Sequence, residues 1–132
     1  MKVLMVDDDT AFTEQTEIFL QHIDSDIEVE TVTSSERALE ILEESDFDAV
    51  VWDYLMPGKN GLDCLKVLRE EKNSDIPFIM FTGRGSEKIA MHALNLGADM
   101  YITKQGDPRE KFGQLAESIK QVVECSQRRA SC

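Results

Sequence analysis

The feature that most constrains this chain is a change of hydrophobic period, repeated from one end to the other. Short apolar runs, Val3 to Val6, Ile27 to Val32, Ala49 to Trp52, Phe78 to Phe81 and Met100 to Ile102, are rich in β-branched, aromatic or methionine residues and too brief for helices. Between them, Ala11 to Ile23, Glu36 to Glu44, Leu62 to Lys72, Glu87 to Leu96 and Pro108 to Cys125 carry apolar residues three or four apart, such as Leu62, Leu65 and Leu68. Helix starts are marked too. Thr33 with Glu36 fits a capping box, and Asp107-Pro108-Arg109-Glu110 reads as a cap followed by Pro at the first helical position. Five strands alternating with five helices, the strands apolar on both faces, predict a parallel sheet covered on both sides and connected right-handedly. The fold class is α/β, doubly wound. No linker or repeat interrupts it, so residues 1–126 read as one domain and residues 127–132 as a short C-terminal tail.

Composition removes several classes of function. The 132 residues include 26 acidic and 14 basic side chains, a formal charge of −12, which repels phosphate backbones and argues against direct nucleic-acid binding. The longest apolar runs span four residues, against the about 18 that a membrane helix needs, so no membrane insertion is expected. No export signal precedes the first strand, and a cytoplasmic setting is the expectation. Cys64, Cys125 and Cys132 lack the spacing of a zinc site or a disulfide framework and read as bystanders.

In open parallel sheets ligands bind beyond the carboxyl ends of the strands, so the residues that follow each apolar run carry the functional signal. Strand one is followed by Asp7, Asp8 and Asp9, strand three by Asp53, strand four by Thr82, and strand five by Thr103 and Lys104. If strands one and three are neighbours, Asp53 meets the first acidic group, and mutual repulsion calls for a cation among them. Carboxylate oxygens are hard ligands, and an open site of this kind suits Mg²⁺ rather than zinc or copper; neither His22 nor His92 lies near a strand end. A metal beside a carboxylate, a hydroxyl and an ammonium is equipment for phosphoryl transfer. Singly these residues have plainer readings: Asp8 and above all Asp9 suit a helix cap, Thr82 a turn, and Lys104 a solvated surface. Their joint placement favours the chemistry.

With those residues in view, the chain resembles a receiver domain of a two-component response regulator, of the chemotaxis-regulator type. The resemblance rests on Met5-Val6-Asp7-Asp8, on Trp52-Asp53-Tyr54-Leu55-Met56-Pro57 with Asn60-Gly61-Leu62, on Phe81-Thr82-Gly83, on Gly97-Ala98-Asp99 and on Tyr101-Ile102-Thr103-Lys104. It implies a flavodoxin-like sheet of order 2-1-3-4-5. It also implies that Asp53 accepts a phosphoryl group from a phosphohistidine on a sensor histidine kinase or phosphotransfer protein. Asp7, Asp8, the Asp53 carboxylate and the Leu55 carbonyl would hold Mg²⁺, while Thr82 and Lys104 would contact phosphoryl oxygens. By the same resemblance Thr82 is coupled to inward rotation of Tyr101, and the output face of the fourth helix, fifth strand and fifth helix includes Lys88, Met91, His92, Asn95, Tyr101 and Phe112, with plain core as the alternative for some of them, Phe112 above all. That face would meet a downstream protein target or a fused effector domain, and phosphorylation-dependent dimerisation is left open. Leu55 and Arg84 stand where the family tunes phosphoryl lifetime, and Leu55, unable to orient water, implies a long-lived phosphate. The family usually places Pro after the lysine. Here Lys104-Gln105-Gly106-Asp107-Pro108 follows, a variant similar to some archaeal receivers, and a trans Lys104–Gln105 bond is expected, with Gly106 absorbing the turn.

Three rival readings fare worse. A phosphatase resembling the haloacid-dehalogenase group would want Thr or Val where Ala11 stands, an acidic pair further on, and a cap domain. A flavin carrier would need a Ser/Thr/Gly-rich loop after strand one. A module that keeps the fold but is never phosphorylated would have no use for a full set of Asp7, Asp8, Asp53, Thr82 and Lys104. The expectation is therefore a self-phosphorylating switch, not an enzyme acting on other substrates.

Overall fold

The computed structural model describes residues 1–83 and 85–131, with side chains to Arg128. Ten elements alternate: β1 (Lys2–Val6), α1 (Thr10–Ile23), β2 (Glu28–Val32), α2 (Ser35–Glu44), β3 (Ala49–Trp52), α3 (Gly61–Lys66), β4 (Phe78–Thr82), α4 (Glu87–Asn95), β5 (Met100–Thr103) and α5 (Pro108–Ser131). The strands form one parallel sheet of order β2-β1-β3-β4-β5, the flavodoxin-like arrangement. Alternation along each strand sends residues to two cores. Val3, Met5, Val51, Ile79, Phe81 and Ile102 pack with Leu20 of α1 and with Leu115 and Ile119 of α5. Leu4, Val6, Val50, Trp52, Phe78 and Met80 pack with Ala38 of α2, Leu65 of α3 and Ala93 of α4. Trp52 and Phe78 stack at 5.7 Å between centroids, across the β3–β4 pair. Truncating a fully buried side chain such as Leu65 to Ala would cost about 2–5 kcal/mol.

Several boundaries differ from the sequence reading, each for a local reason. β2 is an edge strand, and its Glu28, Glu30 and Thr31 are exposed, so it is not apolar on both faces. The cap of α2 is Ser34, whose hydroxyl accepts from the Arg37 N–H at 3.2 Å, not Thr33; Thr33 lies one residue too early to reach the first free N–H groups. The third helix keeps α geometry only to Lys66 and then widens into a π-helical turn over Val67–Glu71, where the Lys72 N–H reaches back five residues to the Val67 carbonyl. α5 runs past Cys125 to Ser131, since nothing after Cys125 breaks a helix, so residues 127–131 of the expected tail continue it. No peptide bond among the described residues is cis, and Gly106 makes the turn after Lys104 at φ 111°, a conformation costly for residues with a Cβ.

The register decides what the sheet presents. Val6 lies opposite both Val32 and Trp52, and the next residues are tied at once: the Asp53 N–H donates to the Val6 carbonyl and the Asp7 N–H to the Val32 carbonyl, both at 3.0 Å. On the other side Thr82 pairs with Thr103, and the Lys104 N–H donates to the Thr82 carbonyl at 2.9 Å. Asp7, Asp53, Thr82 and Lys104 therefore follow one another along a single edge.

Candidate functional site: an acidic cleft at the strand ends

Asp7 and Asp53 are held by strand backbone, and their neighbours shape them. Asp7 is buried, and its Oδ1 accepts the Asp9 N–H at 2.9 Å. Asp9 turns outward, and its Oδ1 accepts the Phe12 N–H at 3.0 Å, which makes it the cap of α1. The plainer reading holds for Asp9. Asp53 is nearly buried, and the Leu55 N–H lies 3.4 Å from its Oδ1. The loop behind it is pinned where the Gly61 N–H donates to the Tyr54 carbonyl at 2.8 Å, and Asn60 with Asp63 closes a capping box that starts α3.

The Lys104 ammonium joins the two carboxylates, at 2.5 Å from Asp7 Oδ2 and 3.2 Å from Asp53 Oδ2. Asp8 completes the cluster from the exposed side, with one oxygen from each of Asp7, Asp8 and Asp53 lying within 4.8 Å of the others. Among the described residues, three clustered carboxylates beside one ammonium leave an excess of two negative charges, in a cleft of about 610 Å³ that Leu55, Met56 and Gly83 help to line. Burial pushes the Asp7 carboxyl above its ordinary value of 3.8, the Lys104 and Asp9 hydrogen bonds pull it back, and the Asp53 charge adds to the rise. A hard divalent cation fits this donor set: all the side-chain ligands are oxygens, one side opens to solvent, and the charge it would bring is the charge the cleft lacks.

Thr82 is fully buried at the end of β4, beside the cleft. Next to it Tyr101 points inward: an ideal Cβ on Gly85 would fall 1.4 Å from the Tyr101 hydroxyl oxygen and 3.1 Å from Thr82 Cγ2. The ring occupies space that exists only because residue 85 has no side chain. The Tyr101 hydroxyl is buried without a hydrogen-bond partner among the described residues, and burial, with Asp53 and Tyr54 nearby, raises its pKa. Of the expected output residues, Lys88, Met91, His92 and Asn95 are exposed on α4, whereas Phe112 is buried against Phe12 and Phe19 of α1, the plain-core alternative; Leu94, half exposed, was not foreseen. Arg84 and Cys132 lie outside the described residues. Cys64 is buried and Cys125 exposed, both as free thiols.

Sequence reasoning missed two positions. Gly85 carries no signal of its own, because its role depends on where Tyr101 falls. Phe12 looked like one more apolar residue of a helix; in the structure its ring lies against Lys104.

Fold and cleft together define a class: a doubly wound domain whose strand ends gather oxygen ligands, a buried hydroxyl and an ammonium. The family model described as "Response regulator receiver domain" matches residues 3–116. Among curated proteins, the transcriptional regulatory protein CpxR of Escherichia coli strain K12 is 36% identical over 119 residues, covering 90% of this chain and 49% of CpxR. The response regulator SaeR of Staphylococcus aureus strain USA300 is 36% identical over 108 residues, covering 82% of this chain and 46% of SaeR. The chain thus spans about half the length of these relatives. Among solved structures, a CheY-like receiver domain protein from Methanospirillum hungatei superposes with a TM-score of 0.77 at 28% identity, covering 93% of this chain and 96% of that one. One from Clostridium thermocellum reaches 0.82 at 26% identity, with 96% of each chain covered. The chain belongs to the response regulator receiver domain family of two-component signalling, a family of switches rather than conventional enzymes. The matches do not single out an archaeal subtype. The Asp7, Asp8 and Asp53 pocket is consistent with a phosphoacceptor and metal site. No helix among the described residues is long and apolar enough to cross a membrane.

Proposed function

We propose that Asp53 is the phosphoacceptor. Its carboxylate attacks the phosphorus of a phosphohistidine on a sensor histidine kinase or phosphotransfer protein; the new P–O bond forms as the P–N bond breaks, and the imidazole leaves with the nitrogen lone pair and takes up a proton. The observation that carries this reading is the Lys104 ammonium bridging Asp7 and Asp53 at 2.5 and 3.2 Å, a donor poised beside the nucleophile. Asp7, Asp8, the Asp53 carboxylate and the Leu55 carbonyl would hold Mg²⁺. When bound, the ion supplies charge neutralisation for the phosphoryl oxygens. Lys104 then gives up part of its contact with Asp53 to meet one phosphoryl oxygen, and the Thr82 hydroxyl donates to another. Tyr101, seated behind Thr82, follows that hydroxyl, and the exposed face of α4, β5 and α5 is read by a protein target or a fused effector domain. Leu55 offers an attacking water no polar group, so the acyl phosphate is long-lived; Leu55→Asn should shorten it. The setting is cytoplasmic, where histidine kinases present their phosphohistidines.

The test is intact mass after incubation with a small acyl phosphate, with and without Mg²⁺, on the wild type and on Asp53→Asn. One added phosphoryl group that requires both Mg²⁺ and Asp53 is the expected result. No adduct, under conditions that label another receiver, would sink the reading and leave a binding module.

A further inference from the structure

We propose that Phe12 is a positioning residue for Lys104: its ring face holds the ammonium in the cleft without consuming a donor, so that Lys104 stays available to the transferring phosphoryl group. This rests on the phosphoacceptor reading above. A lysine reaches its partners through a flexible four-carbon stem, and its ammonium is free to follow any nearby anion. Here Asp7 and Asp53 both compete for it. A third carboxylate would fix the ammonium by taking another of its hydrogens. An aromatic face attracts the cation through the ring quadrupole and accepts no conventional hydrogen bond.

The geometry fits that role. The Lys104 nitrogen sits 4.2 Å from the Phe12 ring centroid, and the side chain is only 15% exposed, so water screens the attraction little. Phe81 lies further off, at 6.0 Å. Phe12 is itself held on three sides. Phe81 and Phe112 tilt against its ring, each at 5.7 Å between centroids. Its backbone is tied to the acidic loop, because the Phe12 N–H donates to Asp9 Oδ1 and the Asp9 N–H to Asp7 Oδ1. One short chain of bonds thus fixes both the carboxylate that Lys104 touches and the ring on which it rests.

A ring that merely fills the α1–α5 core predicts something different from a ring that positions the ammonium. Leu and Met fill much of the same volume but have no quadrupole. The experiment uses wild type, Phe12→Leu, Phe12→Met, Phe12→Tyr and Phe112→Leu, the last thinning the same aromatic row away from Lys104. Two readouts are taken: the ¹H–¹³C resonance of the Lys104 ε-methylene without phosphodonor, and the rate of phosphorylation by a small acyl phosphate with Mg²⁺. The proposal expects a ring-current upfield shift in the wild type that is lost in the Leu and Met variants and kept in Phe12→Tyr. It expects phosphorylation roughly three- to tenfold slower in the Leu and Met variants, near normal in Phe12→Tyr and near normal in Phe112→Leu. A wild-type rate in Phe12→Leu and Phe12→Met, or no ring-current shift in the wild type, overturns the positioning role. A wild type that keeps the shift but takes no phosphoryl group at all overturns the phosphoacceptor reading, and the positioning role with it.

Discussion

At the amino-terminal edge of the sheet the carboxylates have donors of their own, whereas at the carboxyl-terminal edge two carboxylates share one ammonium and a third lies beside them. Asp48 accepts the Lys2 N–H at 2.7 Å, Asp99 accepts the Phe78 N–H at 2.9 Å with Arg69 beside it, and Asp24 accepts the Asp26 N–H and meets Lys120 at 2.8 Å. Asp48 and Asp99 tie loops to strands, and Asp24 ties its loop to α5. Asp7 and Asp53 instead share Lys104, Asp8 clusters with them, and two of the three are nearly or fully buried. Burying charge short of counterions opposes folding, and a fold that keeps such a cluster retains it for what it binds. The difference is set by topology. Loops at the first edge lie against strand N–H groups; loops at the second meet where neighbouring connections part.

The comparison can be broken most sharply at Lys104. Lys104→Met should slow phosphorylation by about a hundredfold or more, the scale on which removing one transition-state donor acts. The same variant should bind Mg²⁺ more tightly, because the cleft has lost its own cation; emission of Trp52, the single tryptophan and the residue before Asp53, can follow the titration. Weaker Mg²⁺ binding would mean that Lys104 organises the carboxylates more than it competes for them. The complementary change is Asp99→Ala. It strands the Phe78 N–H and removes a partner of Arg69, so stability should fall by about 1–3 kcal/mol in urea unfolding. Phosphorylation should stay within about twofold of wild type, well under 1 kcal/mol in barrier. A large loss of labelling in a folded Asp99→Ala protein would erase the distinction between the edges.

The part of this arrangement that sequence could supply was the part fixed locally. Strand cores such as Ala49–Trp52 and the polar residue after each strand are legible because chemistry and period change at one position. Asp107 is legible as a cap for the same reason, and its Oδ1 does accept the Arg109 N–H at 3.0 Å. Contacts that join distant segments were not legible. That Phe12 lies under Lys104, or that Gly85 makes room for Tyr101, depends on side-chain directions across a β–α connection, about which an apolar residue or a glycine says nothing. The π-helical turn over Val67–Glu71 was hidden because apolar spacing continues through it. Phe112 could be read either toward the output face, where its helix lies, or into plain core, and its ring contacts with Phe12 and Phe19 put it in the core.

A smaller effect is expected from Gly85→Ala. The added methyl would overlap the Tyr101 hydroxyl, so the ring must leave its slot, at a cost within about 1 kcal/mol because the buried hydroxyl gains water in exchange. Cross-relaxation between the Tyr101 ring and the Thr82 methyl should vanish, while phosphorylation continues, since Tyr101 touches neither carboxylate. Persistence of that cross-relaxation would mean that the loop carrying Gly85 yields instead of the ring.

The smallest effect, and the one that reads both edges in a single experiment, is the dependence of stability on pH. The hydrogen bond from Lys120 holds the Asp24 carboxyl below its ordinary 3.8, so its contribution is present above that value and is lost as pH falls through the lowered one. Asp7 runs the other way. Burial raises its carboxyl above 3.8, so the folded protein binds a proton before the unfolded chain does; stability increases as pH falls through the raised value and stops changing once both states are protonated, below 3.8. Urea midpoints followed downward from neutral pH should therefore show an Asp7 gain first and an Asp24 loss at stronger acid. Asp7→Asn should remove the first feature and raise stability at neutral pH, because the amide needs no counter-charge. Asp24→Asn should remove only the second. Added Mg²⁺ should suppress the Asp7 gain in the wild type and leave the Asp24 limb in place, since among the described residues only the carboxyl-terminal edge offers an ion three oxygens. Equal sensitivity of both limbs to Mg²⁺ would mean that the two edges differ in burial alone.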